Sequence, residues 1–272
     1  MPTFHYPQAL TVAGSDSGGG AGIQADLKTF QMRHVYGTSI LTAVTAQNTL
    51  GIMDSHMLPT TIIENQLQAI AQDFHIQAFK VGMLGNEDII HCLAENLAYC
   101  HFGPMVLDPV MLAKDGSALL SQSALDCLIK RLIPQATIIT PNLPEAEALT
   151  GIAIKDQQSV QHAAEALQKM GAQNVVIKGG HWQHSQSEYC IDYVFMPTTR
   201  FTLQHKRYDT PHTHGTGCTF SACLAAELAK GKDITQALII AKRFISAAIE
   251  APLNIGKGQG PVNHWAYQNE EH

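Results

Sequence analysis

The sequence contains no Cys-x-x-Cys pair. Its six cysteines, at 92, 100, 127, 190, 218 and 223, are scattered through 272 residues. That spacing excludes a small disulfide-stapled fold and predicts reduced thiols. Charge is scarce as well: 15% of residues are charged and the net charge is −6. A general nucleic-acid or membrane-surface binder needs a basic excess, so neither partner is expected. No apolar run reaches membrane-spanning length. The opening residues, Met-Pro-Thr-Phe-His-Tyr-Pro, lack a basic region followed by an apolar stretch, so no signal peptide is expected and the chain reads as cytoplasmic. No Pro-, Gly- or Ser-rich linker and no internal repeat divide the chain, which predicts one domain over residues 1–272. His212 and His214 lie near Cys218, but no second Cys/His cluster stands at ligand spacing, so zinc is not expected.

What is present is an alternation of short apolar runs with amphipathic stretches. Strands are predicted at 8–13, 35–45, 76–81, 105–107, 136–140 and 174–177. Helices are predicted at 23–33, 60–73, 87–99, from Ser121 to Arg131, at about 156–170, from about 219 to 229 and from about 233 to 250. A late hairpin is predicted from 189–195 and 200–205 across Pro197-Thr-Thr. Repeated strand–helix units predict an α/β fold: a mostly parallel sheet covered by helices on both faces.

Polar or glycine-rich residues follow most of the strands. Open α/β sheets bind ligands beyond the carboxyl ends of their strands, so these loops are expected to gather along one edge. Gly14-Ser-Asp-Ser-Gly-Gly-Gly-Ala-Gly22 follows the first strand; it is neither a Walker A loop nor a Rossmann fingerprint. Ala46-Gln-Asn-Thr49, Asp108-Pro109 and Asn142-Leu-Pro-Glu145 follow others. Asn142 and Glu145 also suit a helix capping box. Lys178-Gly-Gly suits a phosphate, or simply a solvated turn. The stretch Asp209 to Ser221 turns through Gly215 and Gly217 into a helix whose free N–H groups suit an anion. Cys218 falls in the first turn, where the helix dipole favours a thiolate; a buried core cysteine is the alternative.

Together these motifs resemble the hydroxymethylpyrimidine/phosphomethylpyrimidine kinases of thiamine synthesis, within the ribokinase-like superfamily. They are Ala13 to Thr29, Ala46 to Thr49, Lys80-Val-Gly-Met-Leu84, Leu107 to Met111, Thr140 to Glu145, Lys178 to His181 and Asp209 to Thr219. Gly18 departs from the serine more often found at that point of the loop, and Ser17 is the candidate replacement hydroxyl.

The resemblance implies a three-layer αβα fold and ATP-dependent phosphorylation of a pyrimidine hydroxymethyl group and then of the monophosphate. It implies an anion hole from Gly215, Thr216, Gly217 and Cys218, with Cys218 as base or orienting group. Asp108 and Glu145 would act through Mg²⁺ and its waters. Asn142, Lys178, His214 and Lys114 would face the ATP phosphates, with Lys242 near the adenine. Gln47 would read the ring edge, and Gly14, Asp16, Val44, Met83 and Val110 would complete the acceptor pocket. A homodimer is implied too. Three other readings remain: a pyridoxal kinase of the same branch, a hydrolase with Cys218 as nucleophile and His214 as base, and a non-catalytic binding module. Strict ATP dependence separates the first from the last two.

Overall fold

The computed structural model describes residues 6–112, 119–180 and 188–267. Strands β1 (Gln8–Asp16), β2 (Tyr36–Asn48), β3 (Gly51–Met57), β4 (Ala78–Val81), β5 (Met105–Leu107), β6 (Ile138–Ile139), β7 (Asn174–Ile177), β8 (Tyr189–Phe195) and β9 (Arg200–Lys206) form one sheet. Its order is β3-β2-β1-β4-β5-β6-β7-β8-β9. The pairs from β2 to β7 are parallel; β3 joins β2 antiparallel, and β8 and β9 form the expected hairpin beyond β7.

The helices are α1 (Gly22–Met32), α2 (Thr60–Asp73), α3 (Glu87–Asn96), α4 (Gln122–Arg131), α5 (Leu143–Thr150), α6 (Gln157–Lys169), α7 (Thr216–Ala229) and α8 (Ile234–Glu250). Alternate side chains of each strand enter different cores, as a period of two requires. Leu10, Val12, Phe79, Val81, Met105, Leu107, Ile139, Val175 and Ile177 pack with α2 to α6. Ala9, Ala78, Val106, Ile138 and Val176 pack with α1, α7 and α8. The inner strands are therefore largely apolar on both faces, interrupted by Thr11 and Lys80, which is why they read as apolar runs.

Two differences from the sequence reading matter. First, β3 is additional. Its solvent-facing residues, with Met53 80% exposed, give no core pattern to detect. Second, β1 and β2 run on through Asp16 and Asn48, so Gly14, Asp16 and Gln47 sit on strands rather than in loops, while Val44 lies on β2 as expected. Ladder pairing with β2 at Ser15–Val44 and Asp16–Thr45 overrides the local glycine signal.

The sheet order reverses at β1, with β2 on one side and β4 on the other. Crevices form at such switch points. Helix α7 packs across β1, β4 and β5 there and presents its N-terminus to the crevice. Its residues 219–229 are all buried, and the run of alanines lets it approach the sheet closely.

Candidate active site

Asp108 follows β5, Thr140 follows β6 and Lys178 follows β7, so three strand exits converge. Asp108 Oδ1 accepts from Lys178 Nζ at 3.0 Å and from the Thr140 hydroxyl at 3.2 Å. Its Oδ2 accepts from Ser221 Oγ of α7 at 3.1 Å. Burial alone would raise the pKa of Asp108; the Lys178 and Lys80 ammonium groups outweigh it and hold the carboxyl below its usual range. Gly217 stands over this pair. A Cβ there would lie 3.3 Å from Lys178 Nζ and 3.6 Å from Asp108 Oδ2.

Asn142 and Glu145 form the capping box of α5. Glu145 N–H donates to Asn142 Oδ1 at 2.9 Å, and Asn142 N–H donates to Glu145 Oε2 at 2.7 Å. This corrects any picture of two freely aimed ligands: part of each side chain is committed to the helix start. Burial pushes the Glu145 carboxyl up to about 7, with Lys178 opposing and Asp108 adding to the rise. A carboxyl whose folded pKa exceeds its ordinary 4.5 binds more protons folded than unfolded, so stability falls as pH rises from about 4.5 to about 7. Glutamine also serves at the third helical position of a capping box. Glu145→Gln is therefore expected to raise the melting temperature at pH 8 in metal-free buffer and to leave it nearly unchanged at pH 4.5. Equal shifts at both pH values would contradict the titration.

A second polar cluster is built on Asp16, 3% exposed at the end of β1. It accepts backbone N–H bonds from Gly18, Gly20 and Ala21 at 2.8, 3.0 and 2.9 Å. His214 Nε2 lies 2.9 Å from its Oδ2. Burial would raise its pKa, but His214 and the amides outweigh burial and lower it. Gln47 lies beside both: its carboxamide is 3.4 Å from His214 and 3.0 Å from the Thr45 hydroxyl. Gly14 and Met83 adjoin, since a Cβ on Gly14 would lie 3.4 Å from the Met83 sulfur. Val44 stays 44% exposed on β2, and Val110 is half-buried just past Asp108.

The two halves meet at glycines. Gly215 is the N-cap of α7 at φ +82°, a left-handed conformation, and no side chain caps the helix. A Cβ on Gly215 would collide with the Gly20 carbonyl, and one on Gly22 with the Gly14 carbonyl. The Gly22 backbone lies near enough to the Cys218 thiol to favour its charged form slightly.

Three expectations meet the geometry here. Burial pushes the Cys218 thiol up, against the pull of Lys80, rather than down toward a thiolate. His214, implied at the ATP phosphates, lies 2.9 Å from Asp16 and 3.4 Å from the Gln47 carboxamide. Lys242, expected near the adenine, is buried and paired with Asp192 Oδ2 at 2.7 Å, while Asp192 Oδ1 accepts from Gly179 N–H. Lys242 thus supports the turn after Lys178. Lys114 lies outside the described residues.

The sequence reading missed what lies beneath the site. Lys80 and Asp26 form a fully buried ion pair at 2.6 Å, and the Thr11 hydroxyl donates to Asp26 at 2.6 Å. Burial disfavours the Lys80 charge, but Asp26 outweighs it and raises the pKa. A lysine inside the otherwise apolar run Ala78-Phe-Lys-Val81 was the available signal.

An anion-ready helix start beside a Lys–Asp pair and a second carboxyl, on an α/β sheet with this reversal, defines a ribokinase-like phosphotransferase. The family model described as phosphomethylpyrimidine kinase matches residues 16–263. The chain belongs to this kinase family. It is 64% identical over 261 residues to a hydroxymethylpyrimidine/phosphomethylpyrimidine kinase of Haemophilus influenzae, covering 96% of this chain and 97% of that one. It is 48% identical to the enzyme of the same description from Bacillus subtilis, over 96% of each chain. The solved structure of Staphylococcus aureus pyridoxal kinase in complex with ADP superposes with a TM-score of 0.90 at 37% identity, covering 99% of this chain and 97% of that chain.

Proposed function

We propose that one acceptor pocket serves two ATP-dependent phosphorylations: of 4-amino-5-hydroxymethyl-2-methylpyrimidine, and of its monophosphate to the diphosphate. The chain is a phosphotransferase of thiamine biosynthesis; the residue roles below are our reading of the site. The observation that carries it is that the Lys178–Asp108 pair lies against Gly217 in the first turn of α7, while His214, just before that helix, lies against Gly20 and joins Asp16 and Gln47 to it.

Gln47 faces the ring edge, matching a 4-amino group and the adjacent ring nitrogen with one acceptor and one donor. Gly14, Asp16, Val44, Met83 and Val110 complete the acceptor pocket. His214 is assigned to this pocket rather than to the phosphates. The first-turn amides of α7 hold the transferring phosphoryl group, and Lys178 neutralises charge that develops on it. Asn142 keeps its Nδ2 group for a phosphate oxygen.

Asp108 and the desolvated Glu145 form a hard oxygen set whose mutual repulsion a divalent cation would relieve, so the donors fit Mg²⁺. The ion would shield phosphate charge. The resemblance further supports a cytoplasmic homodimer and a single domain over 1–272.

A raised thiol pKa makes Cys218 a poor base at neutral pH and a better one as pH rises. The first acceptor is an alcohol that must lose a proton. The second is a phosphate already largely ionised, with a second pKa of about 6. The test is single-turnover ADP release with Mg·ATP against the alcohol and against the monophosphate. Both should turn over. Cys218→Ala should slow the first step at least about 10-fold more than the second, and flatten its rise with alkaline pH. Equal losses would remove the base role. A pyridoxal kinase reading is kept because the Staphylococcus aureus neighbour superposes over the whole chain; pyridoxal as the best acceptor in the same assay would favour it.

A further inference from the structure

The hydrogen-bond partners around Gln47 favour one orientation of its carboxamide. Asp16 is an ionised carboxylate and accepts only, so His214 Nε2, 2.9 Å from it, carries a proton. Gln47 Nε2 lies 3.4 Å from that same Nε2, which sets two N–H donors against each other. Gln47 Oε1 lies 3.0 Å from Thr45 Oγ1, but the Ser15 carbonyl, also at 3.0 Å, competes for the single Thr45 proton. The oxygen and nitrogen of a carboxamide are told apart only by their partners. Turning the carboxamide over relieves the donor–donor clash and the competition at Thr45. Its nitrogen then donates to Thr45 Oγ1 and the Thr45 proton goes to Ser15. Its oxygen faces the His214 Nε2–H, whose proton is held chiefly by Asp16 at 2.9 Å and reaches the amide only as a weak second branch at 3.4 Å. Thr45 sets the orientation and His214, on the loop before α7, favours it electrostatically.

We propose that Thr45 and His214 lock the Gln47 carboxamide with its oxygen at His214 and its nitrogen at Thr45, so that the pocket accepts a 4-aminopyrimidine and rejects its 4-oxo analogue. This rests on the reading of Gln47 as the residue that faces the ring. Each amide atom keeps one free valence, an oxygen lone pair and one N–H. The amino ring offers a donor and a ring nitrogen acceptor to them. The 4-oxo ring offers a carbonyl and a ring N–H, the reverse order. A carboxamide free to rotate would follow either ring. A locked one leaves two donors and two acceptors opposed, and unpaired polar groups in a closed pocket are what give large discrimination. Thr45 and His214 are thus positioning residues acting through Gln47.

The experiment is calorimetric Kd measurement for hydroxymethylpyrimidine and its 4-oxo analogue, on the full chain. The wild type is expected to favour the amino ring by about 100-fold or more, since a bidentate edge contact discriminates at that level. Thr45→Val should narrow the ratio about 10-fold, mainly by tightening the oxo analogue, and Thr45→Ser should restore it. In a Gln47→Met background, Thr45→Val should change the ratio no further. A wild-type ratio in Thr45→Val overturns the lock. A wild-type ratio in Gln47→Met overturns instead the assignment of Gln47 to the ring. Should Thr45→Val fail to fold, His214→Phe, which also removes the donor that fixes the amide, must narrow the ratio in its place.

Discussion

Lys178→Met is expected to lower kcat for both phosphorylations by about 10²–10³-fold, the range seen when one preorganised charge-stabilising group is removed. The residue does two jobs. It pairs with Asp108, 1% exposed, across 3.0 Å, and it stands within reach of the α7 N-terminus at Gly217. Charge develops on the phosphoryl group only during transfer, so the loss should fall in kcat and spare the acceptor KM. Both chemical steps share the phosphoryl donor, so both should suffer equally, in contrast to the unequal effect expected at Cys218. A variant with kcat within a few-fold of wild type would remove Lys178 from the transfer step. An acceptor KM rising with unchanged kcat would move it to the ring pocket.

The second large effect is on stability. Lys80→Met should cost about 3–5 kcal/mol in urea denaturation, because it leaves the Asp26 carboxylate buried without its cation. Both side chains are 0% exposed, and the pair spans β4 and α1. The matched double variant Lys80→Met with Asp26→Leu should recover much of that loss, since the cost lies in the stranded charge rather than in a missing attraction. A double variant no better than the single would mean that the pair itself holds β4 to α1. Lys80 also acts electrostatically on Cys218 and Asp108. The recovered double variant should therefore still be slow in the first phosphorylation, separating the folding role of the pair from its effect on the site.

Much of the fold was legible because the inner strands are buried on both faces and the helices carry apolar stripes. β3 was not, since Gly51–Met57 is a half-covered edge strand with no inward pattern. The ends of β1 and β2 were not, since Gly14 and Gln47 look like loop residues until the ladder pairing of Ser15, Asp16 and Gln47 is known. In the site, the strand-exit rule located Asp108, Asn142 and Lys178 without fixing what they touch. Lys242 looked available because nothing in the local sequence announces Asp192, 50 residues away. His214 was placed at the phosphates by the resemblance alone. Only the crossing of the anion loop over Gly20 turns it toward Asp16.

That crossing also bears on how the enzyme comes into being. Asp16 and His214 are separated by 198 positions in the chain, yet together they shape one wall of the proposed acceptor pocket. Contacts so distant in sequence form late, after their loop-closure entropy has been met. A nascent chain emerging from the ribosome can pair β1, β2 and β4 early. It has no His214, no anion loop and no α7 until nearly four-fifths of its length has been made. An unfinished chain therefore has half an acceptor pocket and no phosphoryl cradle, and catalysis begins only when synthesis is nearly complete.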